Sequence, residues 1–170
     1  MEKRNVLFVM SSLRNGGAER SLVNLLQLLD YDRYNVDLLL FQNEGMFLKQ
    51  VPKEVNIISN CNKLYTLYDN NKTEALKHPY LSVVHMIGTF ISRKKTNSVA
   101  KSRQYRWEHF YKKIIPELTK EYDVAIAYMQ REQTYFLVDK VKATKKIAWV
   151  HNEYSQLGHF KEMDLEYTRW

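Results

Sequence analysis

The chain has 170 residues, of which 45% are hydrophobic and 26% are charged, and its net charge is +7. Its single cysteine, Cys61, excludes an internal disulfide and favours a reducing, cytoplasmic setting. No stretch approaches the roughly 20 apolar residues of a membrane-spanning helix, and the basic balance favours an anionic partner such as nucleic acid, acidic lipid or a phosphorylated small molecule.

The first third of the chain alternates strands and helices. Residues 6–10 are a continuous apolar run, typical of a strand that is buried on both faces of a parallel sheet. After a polar, glycine-containing loop, apolar residues recur at helical spacing over residues 18–29. Two more buried strands are predicted at residues 36–41 and 55–58, with a short helix or turn at residues 48–52 between them. This order is the βαβ pattern of a Rossmann-like sheet.

The remainder of the chain continues the pattern with longer helical segments. A helix is predicted over residues 73–93, interrupted near Pro79, and a basic helix over residues 98–122, with a kink or new start at Pro116. Four further segments complete the prediction: a strand at 123–129, a helix at 131–143, a strand at 146–150 and a final loop with one helix at 152–170. The predicted fold class is α/β, with a Rossmann-like parallel sheet flanked by helices.

The loop after the first strand contains Asn15, Gly16 and Gly17, directly before a helix. Ligands of such sheets bind beyond the carboxyl ends of the strands. Glycines can adopt positive φ and let a ligand approach the backbone, and the free amides of a helix start favour a phosphate or diphosphate. The alternative is a tight turn without a ligand. The spacing matches neither Gly-x-Gly-x-x-Gly nor a P-loop, so a dinucleotide cofactor is unsupported.

The opening segment VLFVMSSLRNGGAERSLVNLLQLL resembles family 4 glycosyltransferases, which are retaining, sugar-nucleotide-dependent enzymes of the GT-B fold. Residues 16–20 reproduce the Gly-Gly-Ala-Glu-Arg pentapeptide of their N-terminal domains. The segments YNVDLLLFQNEGMFLKQVPKEVNIIS and KKIAWVHNEY are also similar, and the likeness is weak only over about residues 60–120. The resemblance implies one acceptor-side domain, residues 1–170, which is half of a GT-B fold and is truncated before the C-terminal nucleotide-sugar domain.

The resemblance also implies roles for individual residues. Asn15, Gly16 and Gly17 would line the substrate cleft, His151 would be the catalytic histidine near the reacting sugar, and Glu153 would accept acceptor hydroxyls. The strand pattern independently puts His151 at the carboxyl end of the fifth strand, where catalytic groups concentrate. Arg20 is expected to pair with a carboxylate rather than to bind substrate.

The implied reaction moves a sugar, with retention, from a nucleotide sugar to a glycan or lipid-linked acceptor in cell-envelope polysaccharide synthesis. The donor is a substrate, no separate cofactor is expected, and the chain alone is predicted to be inactive. No metal is predicted, because His151, Glu153 and His159 match no metal-binding spacing. Cys61 is interpreted as a small apolar residue and not as a nucleophile.

A basic, aromatic segment occupies the middle of the chain. Its cations include Arg93, Lys94, Lys95, Arg103 and Arg106, with aromatic residues interleaved. One interpretation is a helix with its aromatics in the core and its cations solvated. Another is a patch for anions or for an anionic membrane, which would give a cytoplasmic protein peripheral contact with the inner face of the membrane. A non-catalytic membrane-surface or partner-binding module is thus the alternative function. Nucleic-acid binding lacks any supporting motif.

Overall fold

In the computed structural model the chain forms an α/β fold around a five-stranded, all-parallel sheet. The structure describes residues 2–58, 67, 77–151 and 167. The strands are β1 (Arg4–Met10), β2 (Tyr34–Leu40), β3 (Asn56–Ile58), β4 (Glu121–Ala127) and β5 (Lys142–Ala148). They lie in the order β3-β2-β1-β4-β5. The predicted Rossmann-like fold class is confirmed.

Helices cover the sheet. The described ones are α1 (Gly17–Leu28), α2 (Pro79–Lys95), α3 (Val99–Arg106), α4 (Lys112–Ile114) and α5 (Glu132–Lys140). A π-helical turn, Trp107–Tyr111, joins α3 to α4, and a 3-10 turn, Leu48–Gln50, follows β2. None of these helices is long and apolar enough to cross a membrane.

The core consists of two apolar layers, one on each face of the sheet. Leu7 points into the layer that contains Trp107 and Phe136, whereas Phe8 points into the layer formed with Leu22 of α1. Successive side chains of a strand point to opposite faces, so a strand covered on both faces must be apolar at every position. This is why β1 is a continuous apolar run.

The predicted helix over residues 98–122 is wrong at its carboxyl end. The helical segment stops at Ile114, and Ile115 is extended, with φ −73° and ψ 125°. Ile115 precedes Pro116, whose ring disfavours helical backbone at the preceding residue. The proline therefore ends the helix, and Glu121 already belongs to β4.

Two other predicted boundaries are also wrong. The helix over residues 131–143 ends at Lys140, and the strand predicted at residues 146–150 begins at Lys142. β5 is an edge strand with two exposed lysines, Lys142 and Lys145, so it lacks the apolar run that marks a central strand. In the segment predicted as helix over residues 73–93, the described helix begins with Pro79 in its first turn, a position where proline is favoured, and continues to Lys95.

A buried carboxylate joins the strands on the Trp107 side of the sheet. Asp37 of β2 accepts hydrogen bonds from Lys120 Nζ (2.9 Å), Tyr122 Oη (2.7 Å) and Asn56 Nδ2 (2.9 Å). Burial by itself raises the pKa of Asp37, but these hydrogen bonds and the charge of Lys120 outweigh it and lower the pKa below its ordinary value. Asp37 therefore stays ionised and fastens β2 to β3 and β4.

Candidate functional site

The candidate site lies at the carboxyl edge of the sheet, where the strand order reverses. β1 pairs with β2 on one side and with β4 on the other. The helix that follows β1 packs on one face of the sheet, and the helix that follows β4 packs on the opposite face. Such a switch point opens a crevice between the two outgoing loops, and ligands of open parallel sheets bind there. The loops here are residues 11–16 and residues 128–131.

Gly16 and Gly17 form the start of α1 at this edge. Gly16 is the N-cap in extended conformation, with φ −90° and ψ 165°, and neither glycine uses positive φ. The first helical hydrogen bond runs from the Arg20 amide to the Gly16 carbonyl (3.1 Å). The amides of residues 17–19 therefore lie before the first i to i−4 hydrogen bond of the helix. A Cβ on Gly17 would meet no atom within 4 Å, whereas one on Gly16 would overlap the Glu19 carboxylate. A ligand thus has room to approach the backbone at Gly17.

The loop before Gly16 is held by the loop after β2. The Leu13 amide donates to the Glu44 carbonyl (2.9 Å), and the Phe47 amide donates to the Leu13 carbonyl (3.1 Å). Between them Gly45 has φ +127°, and a Cβ there would overlap the Leu13 backbone. Arg14 Nε also donates to Glu44 Oε1 (2.7 Å). Only glycine fits this close approach.

Tyr128, the first residue after β4, connects its loop to β1 and to α1. Its amide donates to the Val9 carbonyl (2.9 Å), and its hydroxyl lies 3.0 Å from Ser21 Oγ. Ser21 is four residues after Gly17 and so lies on the same face of α1. The buried Tyr128 side chain therefore reaches the face of α1 that begins at Gly17.

His151 also contacts the Tyr128 ring. Its ring is exposed, and its centroid is 5.1 Å from that of Tyr128 and 6.2 Å from that of Trp149. The Tyr128 and Trp149 rings meet edge to face at 4.7 Å, and the His151 amide donates to Gln130 Oε1 (3.3 Å). The imidazole is thus positioned by an aromatic wall that also contacts α1. Trp149 is 43% exposed, which leaves ring surface open to a ligand.

Arg131 has the one strained backbone conformation among the described non-glycine residues, with φ +82°. Its carbonyl accepts from the amides of Thr134 (2.9 Å) and Tyr135 (3.2 Å), and it begins α5 at the same edge as α1. Such a conformation costs about 1–3 kcal/mol and clusters at functional sites. The starts of α1 and α5 therefore lie at the same edge of the sheet.

Polar side chains around the start of α5 are buried. They are Gln130, Glu132, Gln133 and Thr134. Glu132 accepts a hydrogen bond from Arg103 Nε (2.5 Å), and their side chains are 3% and 38% exposed. Sequence reasoning missed this group. The available signal was the polar run Gln-Arg-Glu-Gln-Thr directly after a predicted strand, which had been assigned to a helix without a role.

The residues predicted to bind substrate are brought together only in part. Asn15 and Gly17 are exposed on the loop after β1, and His151 is exposed beyond β5. Glu153, like His159 and Cys61, lies outside the described residues. Arg20 is exposed, and among the described residues no carboxylate pairs with it, so its pairing stays a prediction.

The predicted basic patch divides into two environments. Arg93, Lys94 and Lys95 are exposed in the last turn of α2. Arg103 is paired with Glu132, and Arg106 is half-buried, with Nη1 3.0 Å from Thr89 Oγ1 and Nε buried without a hydrogen bond. The three cations of α2 are thus the exposed part of the predicted patch, whereas the two cations of α3 are engaged by neighbouring side chains.

Comparison of the chain with protein-family models, curated protein sequences and solved structures finds no match. Among residues 2–58, 67, 77–151 and 167, no three His, Cys, Asp or Glu side chains are grouped so that they could hold a metal ion. The crevice instead offers backbone amides, an exposed imidazole and an aromatic wall. These groups can bind an anionic group and pack against the apolar C–H face of a sugar ring.

Proposed function

We propose that the chain is the acceptor-side domain of a retaining glycosyltransferase of the GT-B fold. The proposal combines the pentapeptide at residues 16–20 with the Rossmann-like sheet on which it lies. A second domain would supply the nucleotide-sugar site, and the acceptor would be a glycan or a lipid-linked sugar. Fold alone does not imply function, so the proposal depends on the crevice.

One observation supports it most directly. Tyr128 contacts both Ser21, on the Gly17 face of α1, and the ring of His151, so two separate parts of the site border one switch-point crevice. Gly17 and His151 are both predicted site residues, and Tyr128 links their surroundings. A core histidine or a simple tight turn would not require this arrangement.

In the proposed reaction the chain acts mainly by positioning. The amides of residues 17–19 hold a phosphate oxygen of the ligand, and the His151 imidazole exchanges a hydrogen bond with a sugar hydroxyl near the reacting carbon. Holding the partners in reactive geometry and stabilising the leaving diphosphate are the main contributions expected of such a site. No side chain of the described crevice is assigned as a covalent nucleophile.

The test is a nuclear magnetic resonance titration of the isotope-labelled chain with inorganic pyrophosphate, a sugar 1-phosphate and NAD. We expect the two phosphate compounds to shift the amides of residues 17–19 and the His151 ring. Gly17→Leu should weaken this binding by about tenfold or more by filling the open space, and Gly17→Ala, the matched control, should retain most of it.

Three results would contradict the proposal. One is the absence of shifts at Gly17 with either phosphate compound, and another is preferential binding of NAD at the same amides. The third is robust donor-dependent sugar transfer by the 170-residue chain alone, which would mean that no second domain is needed for the reaction.

A further inference from the structure

α2 carries an apolar stripe that faces away from the rest of the chain. We call it the outer stripe; its members are Tyr80, Val83, Met86, Ile87 and Phe90, all exposed. Tyr80 is 65% exposed and Phe90 60%. Their spacing of three and four residues puts all five side chains on one side of the helix. A contiguous exposed apolar surface of this kind marks an interaction site more often than scattered single residues do.

The opposite side of α2 is already occupied. Gly88 lies against the Phe110 ring, where an added Cβ would be at 3.4 Å, and Ser92 Oγ is 2.7 Å from Ser102 Oγ of α3. Leu81 is buried in the core layer. The small residues of α2 therefore allow close packing against α3, and the large apolar residues are the ones left outside.

The surroundings of the outer stripe are cationic. Residues 75–107 contain seven Lys or Arg and no Asp or Glu. Three of these cations, Arg93, Lys94 and Lys95, end α2, and Lys94 Nζ lies 4.4 Å from the centroid of the Phe90 ring. A groove of about 470 Å³ beside the stripe is lined by both kinds of group: His85, Met86, Thr89, Phe90, Arg93 and Lys94.

We infer that α2 docks on the surface of an anionic lipid bilayer, with the outer stripe among the acyl chains and Arg93–Lys95 among the headgroups. An apolar protein partner would need only the apolar side chains of the outer stripe. The excess of cations beside the stripe, in a segment without Asp or Glu, complements the negative headgroups of an anionic membrane. Because the other side of α2 is packed on α3, the helix would lie parallel to the membrane plane. This inference is independent of sugar transfer.

The test is co-sedimentation of the full 170-residue chain with vesicles of phosphatidylcholine, with and without phosphatidylglycerol. We expect binding only to the anionic vesicles, with weakening by added salt. Replacing Arg93, Lys94 and Lys95 by Gln should lower the partition coefficient on the order of a hundredfold, at about fivefold for each cation. The double variant Met86→Ser/Phe90→Ser should lower it by at least about tenfold, because two inserted side chains are lost.

Matched controls distinguish binding through the outer stripe from nonspecific binding to the vesicles. Leu28→Ser removes an apolar side chain at the end of α1 that is 84% exposed, more than any member of the outer stripe. Gln at Lys49, Lys53 and Lys145 removes three exposed cations elsewhere. Both control proteins should bind like the parent. As a direct readout, Phe90→Trp should add fluorescence that brominated anionic lipid quenches, and circular dichroism should report an unchanged fold for every variant.

The inference is overturned if the folded parent protein does not bind anionic vesicles. It is equally overturned if Met86→Ser/Phe90→Ser binds them as tightly as the parent does. It is also overturned if the parent self-associates in solution without lipid and the same double variant is monomeric, because the outer stripe would then be an interface between copies of the chain.

Discussion

The hydroxyl of Tyr128 lies 3.0 Å from Ser21 Oγ, joining residues separated by 107 positions in the chain. It connects the loop after β4 to α1, and the same tyrosine ring contacts His151. The crevice therefore depends on a hydrogen bond between two residues that carry no recognisable motif.

Tyr128→Phe removes this hydrogen bond and keeps the ring. We expect a loss of about 0.5–1.5 kcal/mol in the free energy of unfolding, the usual contribution of one hydrogen bond. Ser21→Ala should cost a similar amount, and the double variant should cost less than the sum of the two because both act on one contact. Urea unfolding of the four proteins measures the coupling, and strict additivity would show that the hydroxyls do not interact.

Gly45→Ala should destabilise the protein by about 2 kcal/mol or more. The added Cβ overlaps the Leu13 backbone, and alanine also strains the φ of +127°. Thermal unfolding followed by circular dichroism measures the loss. Gly17→Ala is the control: its Cβ enters open space at a helix start, so stability should stay unchanged or rise by up to about 1 kcal/mol. Equal melting temperatures for the two variants would contradict the packing described for the Gly45 turn.

Asp37 should make the fold sensitive to acid. Its pKa is lowered in the folded state, so its contribution to stability is complete above the unfolded pKa of about 3.9 and is lost as the pH falls toward the folded value. Asp37→Asn should therefore be less stable than the parent at neutral pH, and the difference should shrink in acid. Urea midpoints over a pH series measure it. Tyr122→Phe, which removes one hydrogen bond to Asp37, should show a smaller loss of stability with the same pH dependence. A stability difference between Asp37→Asn and the parent that does not vary with pH would contradict the lowered pKa of Asp37.

Arg103→Met should cost about 2–3 kcal/mol of unfolding free energy, because it leaves the Glu132 carboxylate buried without its partner. The value is lower than for a fully buried pair because Arg103 is partly exposed. Arg93→Met, at an exposed position of the same segment, should change stability by less than about 0.5 kcal/mol. Removing both charges with Arg103→Met/Glu132→Leu should recover much of the loss, and a double variant no more stable than Arg103→Met would contradict the pairing.

Local sequence patterns predicted the parts of the fold in which one face or both faces are apolar. β1 and β2 lie in the centre of the sheet, and their apolar runs identified them correctly. β5 was predicted too short because an edge strand needs fewer apolar positions, and its lysines resemble a helix end. The helix ending at Ile114 was predicted too long because Leu118 and Tyr122 continue the helical spacing past Pro116.

The candidate site was predictable only where a loop follows an obvious strand. Gly16, Gly17 and His151 were found this way, whereas Tyr128 and Arg131 were not. Their importance arises from the pairing of β4 with β1, a contact between residues more than 100 positions apart that no local window contains. The strained φ of Arg131 likewise comes from the turn between β4 and α5. An arginine in the sequence does not by itself predict a positive φ.

The ion pair between Arg103 and Glu132 has a geometric consequence for the whole molecule. Through it α3 is attached to the first turn of α5, and through Ser102 the same helix is attached to Ser92 of α2. The helix α3 thus connects the start of α5, at the candidate site, with α2. With α2 docked on a bilayer as proposed, these contacts would set the direction in which the carboxyl edge of the sheet faces the membrane.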